Sequence, residues 1–264
     1  MSVDSKLSMK IDVFHNISGE VAVSGTVLIL GVGAAAGVGA AVARKFAGAG
    51  FHVMIAGRTR EKLNATAADI SAAGGSIESV VADVTSQEDQ QRVFELVRAR
   101  NEPLSAVIYN AGSNLPIKFS DLSPEQFEDF WRIGCFGAFL TSRLALPLLS
   151  EQGNGSLFFT GASASLRGRP NFAHFAVAKA GLRNLAQALA REYGPQGIHV
   201  AHVIIDGVVN GDIVRGRFAD YLESLGDDGA LDPDAIAEAF WALHAQPASA
   251  WTHELDLRPY KENW

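Results

Sequence analysis

VLILGVGAAAGVGAAVARKF, residues 27–46, decides the fold. The aliphatic run Val27 to Leu30 passes without a polar break into glycines at 31, 33, 37 and 39, and an alanine-rich stretch with helical character follows. That is a strand, a tight turn and a helix start in succession. Glycine lets the backbone close such a turn and come close to a bound group, while free N–H groups and the helix dipole attract an anion at the helix start. The turn is therefore a phosphate cradle by its physics. It parses either as G-x-G-x-x-A from Gly31 or as G-x-x-x-G-x-G from Gly33.

Outward from this turn, β-branched runs alternate with helical patterns: HVMIA (52–56), SIESVVA (76–82), SAVIY (105–109), SLFFT (156–160) and IHVAHVII (198–205). Helical spacing fills residues 124–149 and 173–193. Such alternation requires crossover connections and a parallel sheet, so the fold class is α/β, a Rossmann-type doubly wound sheet of about seven strands in a single domain. The last strand is expected near residues 251–257, after DPDAIAEAFWALHA, where Asp232 caps a helix and Pro233 takes its first position. Residues 1–24 read as an N-terminal extension that is neither signal nor anchor, and residues 25–264 as the domain. The glycine- and charge-rich stretch 206–231 reads as a substrate lid.

Composition narrows the function. The 264 residues carry 22 Lys plus Arg against 29 Asp plus Glu, a net charge of −7 that disfavours nucleic acid and anionic bilayers. No uninterrupted apolar run reaches the roughly 20 residues of a membrane span. The single cysteine, Cys135, excludes an internal disulfide and a cysteine-built metal site, and points to cytoplasmic housing with no metal centre.

In the order of its motifs the chain resembles the short-chain dehydrogenase/reductase family over roughly residues 25–257, a span set by the glycine turn and the motifs that follow it. The family's turn is T-G-x-x-x-G-x-G, with Val32 standing at its Thr. Asp83 and Val84 match the family's adenine-side Asp-Val, Asn110-Ala111-Gly112 its Asn-Ala-Gly, and Lys179, within FAVAKAG, its Lys. The resemblance implies a nicotinamide cofactor held by Gly31, Gly33, Ala35, Gly37, Val38, Asp83, Val84, Asn110, Ala111, Gly112, Lys179 and Gly207. At the end of the second strand an acidic residue would read ribose hydroxyls, but Gly57 offers none, and Arg58 presents a planar fork suited to a 2′-phosphate. NADP(H) is thus favoured over NAD(H). Two of these residues have a plainer alternative: Arg58 as a solvated helix-start arginine and Asp83 as a turn carboxylate. Asn110 can also tie backbone together across the sheet.

At the chemical end the pattern breaks. The family's proton-handling Tyr, four residues before the Lys, falls on Phe175, its Ser on Ala162 and its helix-borne Asn on Gly134. Of the four, only Lys179 remains, which resembles an atypical branch of the family. Asp206-Gly207 also replaces the family's Pro-Gly. Ser163, Ser165 and His174 lie close enough to offer a proton. The competing readings are a loop-capping role for Ser163 and a partly exposed or interface position for His174. Arg167 and Arg169 bind an acidic substrate or stand solvated. For Lys179 the two readings are a retained ribose contact and a surface lysine.

The expected function is an NADP(H)-dependent oxidoreductase with non-standard proton delivery, acting on C=C or C=N bonds of a small, apolar substrate. The alternatives are a non-catalytic nucleotide-binding or partner subunit, and a non-redox isomerase or cyclase on the same fold. Small residues on the Lys-bearing helix, and the family's habits, imply a homo-oligomer, a dimer or tetramer.

Overall fold

A computed structural model describes residues 25–262; the extension expected over 1–24 lies outside the described residues. Seven strands form one parallel sheet: β1 (Thr26–Leu30), β2 (His52–Gly57), β3 (Ser76–Val81), β4 (Leu104–Tyr109), β5 (Gly155–Thr160), β6 (Ile198–Ile205) and β7 (Glu254–Leu257). Their order is β3-β2-β1-β4-β5-β6-β7. The helices are α1 (Val38–Gly48), α2 (Arg60–Ala72), α3 (Gln87–Ala99), α4 (Pro124–Trp131), α5 (Gly137–Gln152), α6 (Ala173–Tyr193), α7 (Asp212–Arg217), α8 (Ala219–Ser224) and α9 (Pro233–His244).

The inner strands are largely apolar because both sheet faces are covered, whereas the edge strands β3 and β7 carry polar residues. Side chains alternate: Val27, Ile29, Ala106 and Ile108 face the layer of α1, α2 and α9, whereas Leu28, Leu30, Val107 and Tyr109 face α3, α5 and α6. Phe46, Phe51 and Phe240 fill the first layer and Phe94 and Phe159 the second, all fully buried. Each contributes on the order of 2 kcal/mol by burial. Strand order reverses between β1 and β4, and the crevice beyond the carboxyl ends of these two strands is the place such a sheet leaves for a ligand.

Several boundaries differ from the sequence reading for physical reasons. The last strand begins only at Glu254, because Trp251 stacks on the His199 ring at 4.8 Å, the Thr252 N–H donates to Gln246 and the Thr252 carbonyl accepts from the His199 ring rather than from strand backbone. Residues 206–231 contain α7 and α8, and their base is tied down by Leu231 N–H donating to the Val208 carbonyl and Asn210 N–H to the Leu231 carbonyl. The helix expected over 124–149 is interrupted by a π-helical turn, Arg132–Phe136. The whole stretch Pro124–Gln152 is long and apolar enough, by length and composition, to cross a membrane, a property the search for uninterrupted apolar runs missed. Half of its most apolar window is buried, as in a core helix.

The π-turn lies where the chain packs closely on α6. Gly134 lies against α6, and a Cβ there would come within 2.8 Å of the Ala178 Cβ. A π-turn releases a backbone carbonyl from the helical ladder, and the buried Tyr109 hydroxyl donates to that of Ile133 at 2.6 Å. Outside, the rings of Trp131, Phe136 and Phe139 stack in a row, 5.8 and 6.1 Å apart.

Candidate functional site

β1 ends in a turn that only glycine permits at its first position. Gly31 has φ +85°, and a Cβ there would lie 2.3 Å from the Ala111 backbone nitrogen. The N–H groups of Gly31 and Val32 both donate to the Ala56 carbonyl, which holds the turn against β2. Gly33 is exposed with open space in front of it. Gly37 caps α1 in extended conformation without any side-chain acceptor, so the first-turn N–H groups are not consumed by a cap. Gly37 and Gly39 are sterically constrained, by the Ala34 carbonyl at 3.0 Å and the Asn110 amide at 2.9 Å, which suits the parsing from Gly33. Ala35 and Val38 complete the turn, half-buried.

An anionic oxygen already sits on this cradle: Ala36 N–H donates to Asp212 Oδ2 at 3.1 Å. Open space over Gly33, uncapped N–H groups and this carboxylate together show a turn whose chemistry fits a pyrophosphate.

At the end of β2 a side chain is impossible, since a Cβ on Gly57 would lie 2.3 Å from the Val32 carbonyl oxygen. Arg58 follows, exposed. Asp83 uses its Oδ1 to accept from both the N–H and the hydroxyl of Thr85, at 2.8 Å each, so its side chain makes the bonds of a turn carboxylate. Val84 is buried beside it. Asn110 ties three strand ends together: its amide donates to the Gly31 carbonyl, and its Oδ1 accepts from the Thr160 hydroxyl. Ala111 is buried, and Gly112 faces Lys179, whose Nζ lies 3.2 Å from where a Cβ would stand. Gly207 packs against Pro259.

Lys179 is buried at 3% exposure and so is not a surface lysine. Its Nζ donates to the Thr160 carbonyl at 2.6 Å, and burial lowers its pKa to about 8. The half-buried Phe175 ring lies 5.8 Å from that nitrogen. Ala162 brings no hydroxyl to the turn after β5, and Gly134 leaves no room for an amide because Ala178 fills it. Phe175 thus lies beside Lys179, and Gly134 against Ala178, the residue before that lysine.

His174 is fully buried, so the partly exposed of its two plain readings does not hold. Its Nε2 bonds the Leu115 carbonyl at 3.1 Å and its ring packs on Phe130 at 4.1 Å, so it does not face the site. Desolvation lowers its pKa. Arg167 donates to both oxygens of Asp206, at 3.0 Å each, and the carboxylate is 1% exposed. Its guanidinium is thus committed to that buried partner. A cavity of about 240 Å³ opens here, lined by Ser163, Arg167, Arg169, Phe172, Phe175 and Tyr221. A larger hollow of about 520 Å³ lies between α1 and α9, away from these residues.

Sequence reasoning missed a buried polar chain under the site. Ser165 Oγ accepts from Ala162 N–H and lies 3.2 Å from His202 Nε2; His202 Nδ1 lies 3.2 Å from Glu254 Oε2. Glu254 also takes a two-pronged bond from Arg183, at 2.6 and 2.7 Å. The carboxylate only accepts, so Nδ1 carries the proton and Nε2 accepts from the serine hydroxyl. Burial lowers the His202 pKa to about 4 against the pull of Glu254, which keeps the ring neutral. The chain fixes the turn carrying Ala162 and Ser163.

The model of the family described as short chain dehydrogenase matches residues 26–221. An oxidoreductase of Sarocladium schorii, asL5, is 32% identical over 189 residues, 72% of each chain. An uncharacterized oxidoreductase of Staphylococcus aureus strain MW2 is 29% identical over 83% of this chain and 91% of its own. Among solved structures, a short-chain dehydrogenase from Rhodopseudomonas palustris shares 36% identity with a TM-score of 0.76, covering 90% of this chain and 99% of that one. An actinorhodin polyketide ketoreductase with NADPH, 22% identical with a TM-score of 0.82, covers 91% and 98% and shares the fold.

Proposed function

Since the chain belongs to the short-chain dehydrogenase family, a family of oxidoreductases, we propose that it is an NADP(H)-dependent oxidoreductase that reduces C=N or C=C bonds. The observation that carries the reading is the pairing of an intact cradle with a site whose one remaining family position, Lys179, faces a phenyl ring. The Gly33-to-Gly39 turn would hold the pyrophosphate, Arg58 the 2′-phosphate, Val84 the adenine side, and Asn110, Gly112 and Lys179 the nicotinamide ribose. Bound there, the nicotinamide supplies a hydride.

This chain's own residues then have limited work. Phe175, Phe172 and Tyr221 line the cavity and exclude water from one side of it. An iminium carbon needs no proton, because gain of a hydride neutralises it, so the absence of a tyrosine is no handicap for such a substrate. For a polarised C=C, one proton must reach carbon. Lys179 Nζ, fixed by the Thr160 carbonyl and holding its proton with a pKa of about 8, can release one near neutrality. Ser163 is the hydroxyl that lines the cavity.

The test is a fluorescence titration with NADPH and NADH, then stereospecific deuteride transfer from labelled NADPH across ketone, enone and imine panels. Tighter NADPH binding with label in an imine or enone product is expected. Binding without turnover in every panel would favour the second reading, a non-catalytic nucleotide-binding subunit, which the replacements at 162, 175 and 134 support. The same proposal includes a cytoplasmic homo-oligomer. Trp131, Phe139 and Val177 stand exposed on α4, α5 and α6, at 36, 40 and 48%, and a second copy of this face would cover them.

A further inference from the structure

The contact between Ala36 and Asp212 joins positions 176 residues apart and places a carboxylate where the cofactor's pyrophosphate would lie. Asp212 opens α7, immediately after Gly211, and it is exposed. Gly211 brings the segment in close: a Cβ there would be 3.0 Å from the Ala36 carbonyl oxygen. The base of the segment is held by the Val208, Asn210 and Leu231 backbone bonds, so α7 projects from a fixed root. Among the described residues no cation is paired with Asp212, and the two guanidiniums nearest the turn are turned to other partners. Arg44, the guanidinium beside the turn, points its NH1 at the Ala35 carbonyl and pairs its NH2 with Asp234 at 3.2 Å. Arg215 bonds Asn210.

We propose that Asp212 sets the affinity for the dinucleotide: its carboxylate competes with the pyrophosphate for the Ala36 N–H and repels it, so the cofactor binds only as α7 withdraws. The inference rests on the NADP(H) reading above. Charge-assisted bonds of this kind, together with like-charge repulsion, correspond to about a tenfold to hundredfold change in an equilibrium. A ligand that must wait for a minority arrangement of its site shows an affinity reduced by that fraction.

The experiment compares the full-length wild type with D212A, D212N and G211A, using NADPH fluorescence for binding and 2′-AMP, which lacks the pyrophosphate, as a competitor at the adenosine end. The expected result is an NADPH Kd lowered about tenfold or more in D212A and less in D212N, which keeps an acceptor but loses the charge. G211A, whose added methyl presses on Ala36, is expected to tighten NADPH while retaining the carboxylate. The 2′-AMP affinity stays within about twofold throughout, since only the pyrophosphate meets Asp212. If wild type and D212A bind NADPH equally, or D212A binds it more weakly, the proposal fails and the cofactor reading stands. Equal tightening of NADPH and 2′-AMP also overturns it, because the effect is then general charge. If neither protein binds NADPH, the cofactor reading itself fails and takes this inference with it.

Discussion

Acidification should loosen the fold through His202. Its ring is fully buried, and its pKa falls from 6.5 to about 4 because burial penalises the imidazolium more than Glu254 attracts it. In the unfolded chain the same ring titrates at its ordinary value. Between these two values the unfolded state binds the extra proton, so stability rises with pH across the window and is lost as pH falls from about 6.5 to about 4. The shift corresponds to about 3 kcal/mol from this one ring. Urea unfolding at pH 7, 5.5 and 4.5 measures it, with His202→Gln as the reference, because glutamine keeps a donor toward Glu254 and an acceptor toward Ser165 but does not titrate. The wild type should lose about 2 kcal/mol more than the variant over that range. Equal slopes would refute the reasoning. A wild type that gains stability toward acid would show that the Glu254 carboxylate outweighs burial.

Tyr109→Phe removes the hydroxyl that donates to the Ile133 carbonyl and should cost about 1–3 kcal/mol in urea unfolding; an unchanged midpoint would mean that the π-turn needs no such partner. Gly57→Asp forces a Cβ onto the Val32 carbonyl and should destabilise by about 1–3 kcal/mol, seen as a lower Tm, instead of yielding an NAD-preferring protein. Phe175→Tyr combined with Ala162→Ser restores two family positions next to Lys179, and NADPH consumption with a ketone panel should rise about a hundredfold; no gain would mean that the register around Lys179 is not the family's.

The sheet was readable because strands buried on both faces leave long apolar runs, and the crossover helices between them leave regular spacing. Asn110 and Lys179 were readable as motif members, and the structure brings them within one site. Contacts set by distance along the chain were not readable. Ser165, His202 and Glu254 come from three separate elements, and no local period links them. The depth of His174 depends on the Leu115 carbonyl and the Phe130 ring, neither of which neighbours it in sequence. The π-turn could not be told from an α-helix in RIGCF; in the structure it coincides with the close approach of Gly134 to Ala178.

That turn ties the outside of the molecule to its inside. In an unbroken α-helix, residues five apart point about 140° from each other, so the rings of Trp131 and Phe136 could not lie face to face. Their alignment exists because the backbone takes on one surplus residue per turn, the same surplus that seats Gly134 on the residue preceding Lys179. The exterior ladder of rings and the backbone that carries the buried ammonium are thus set by one and the same turn.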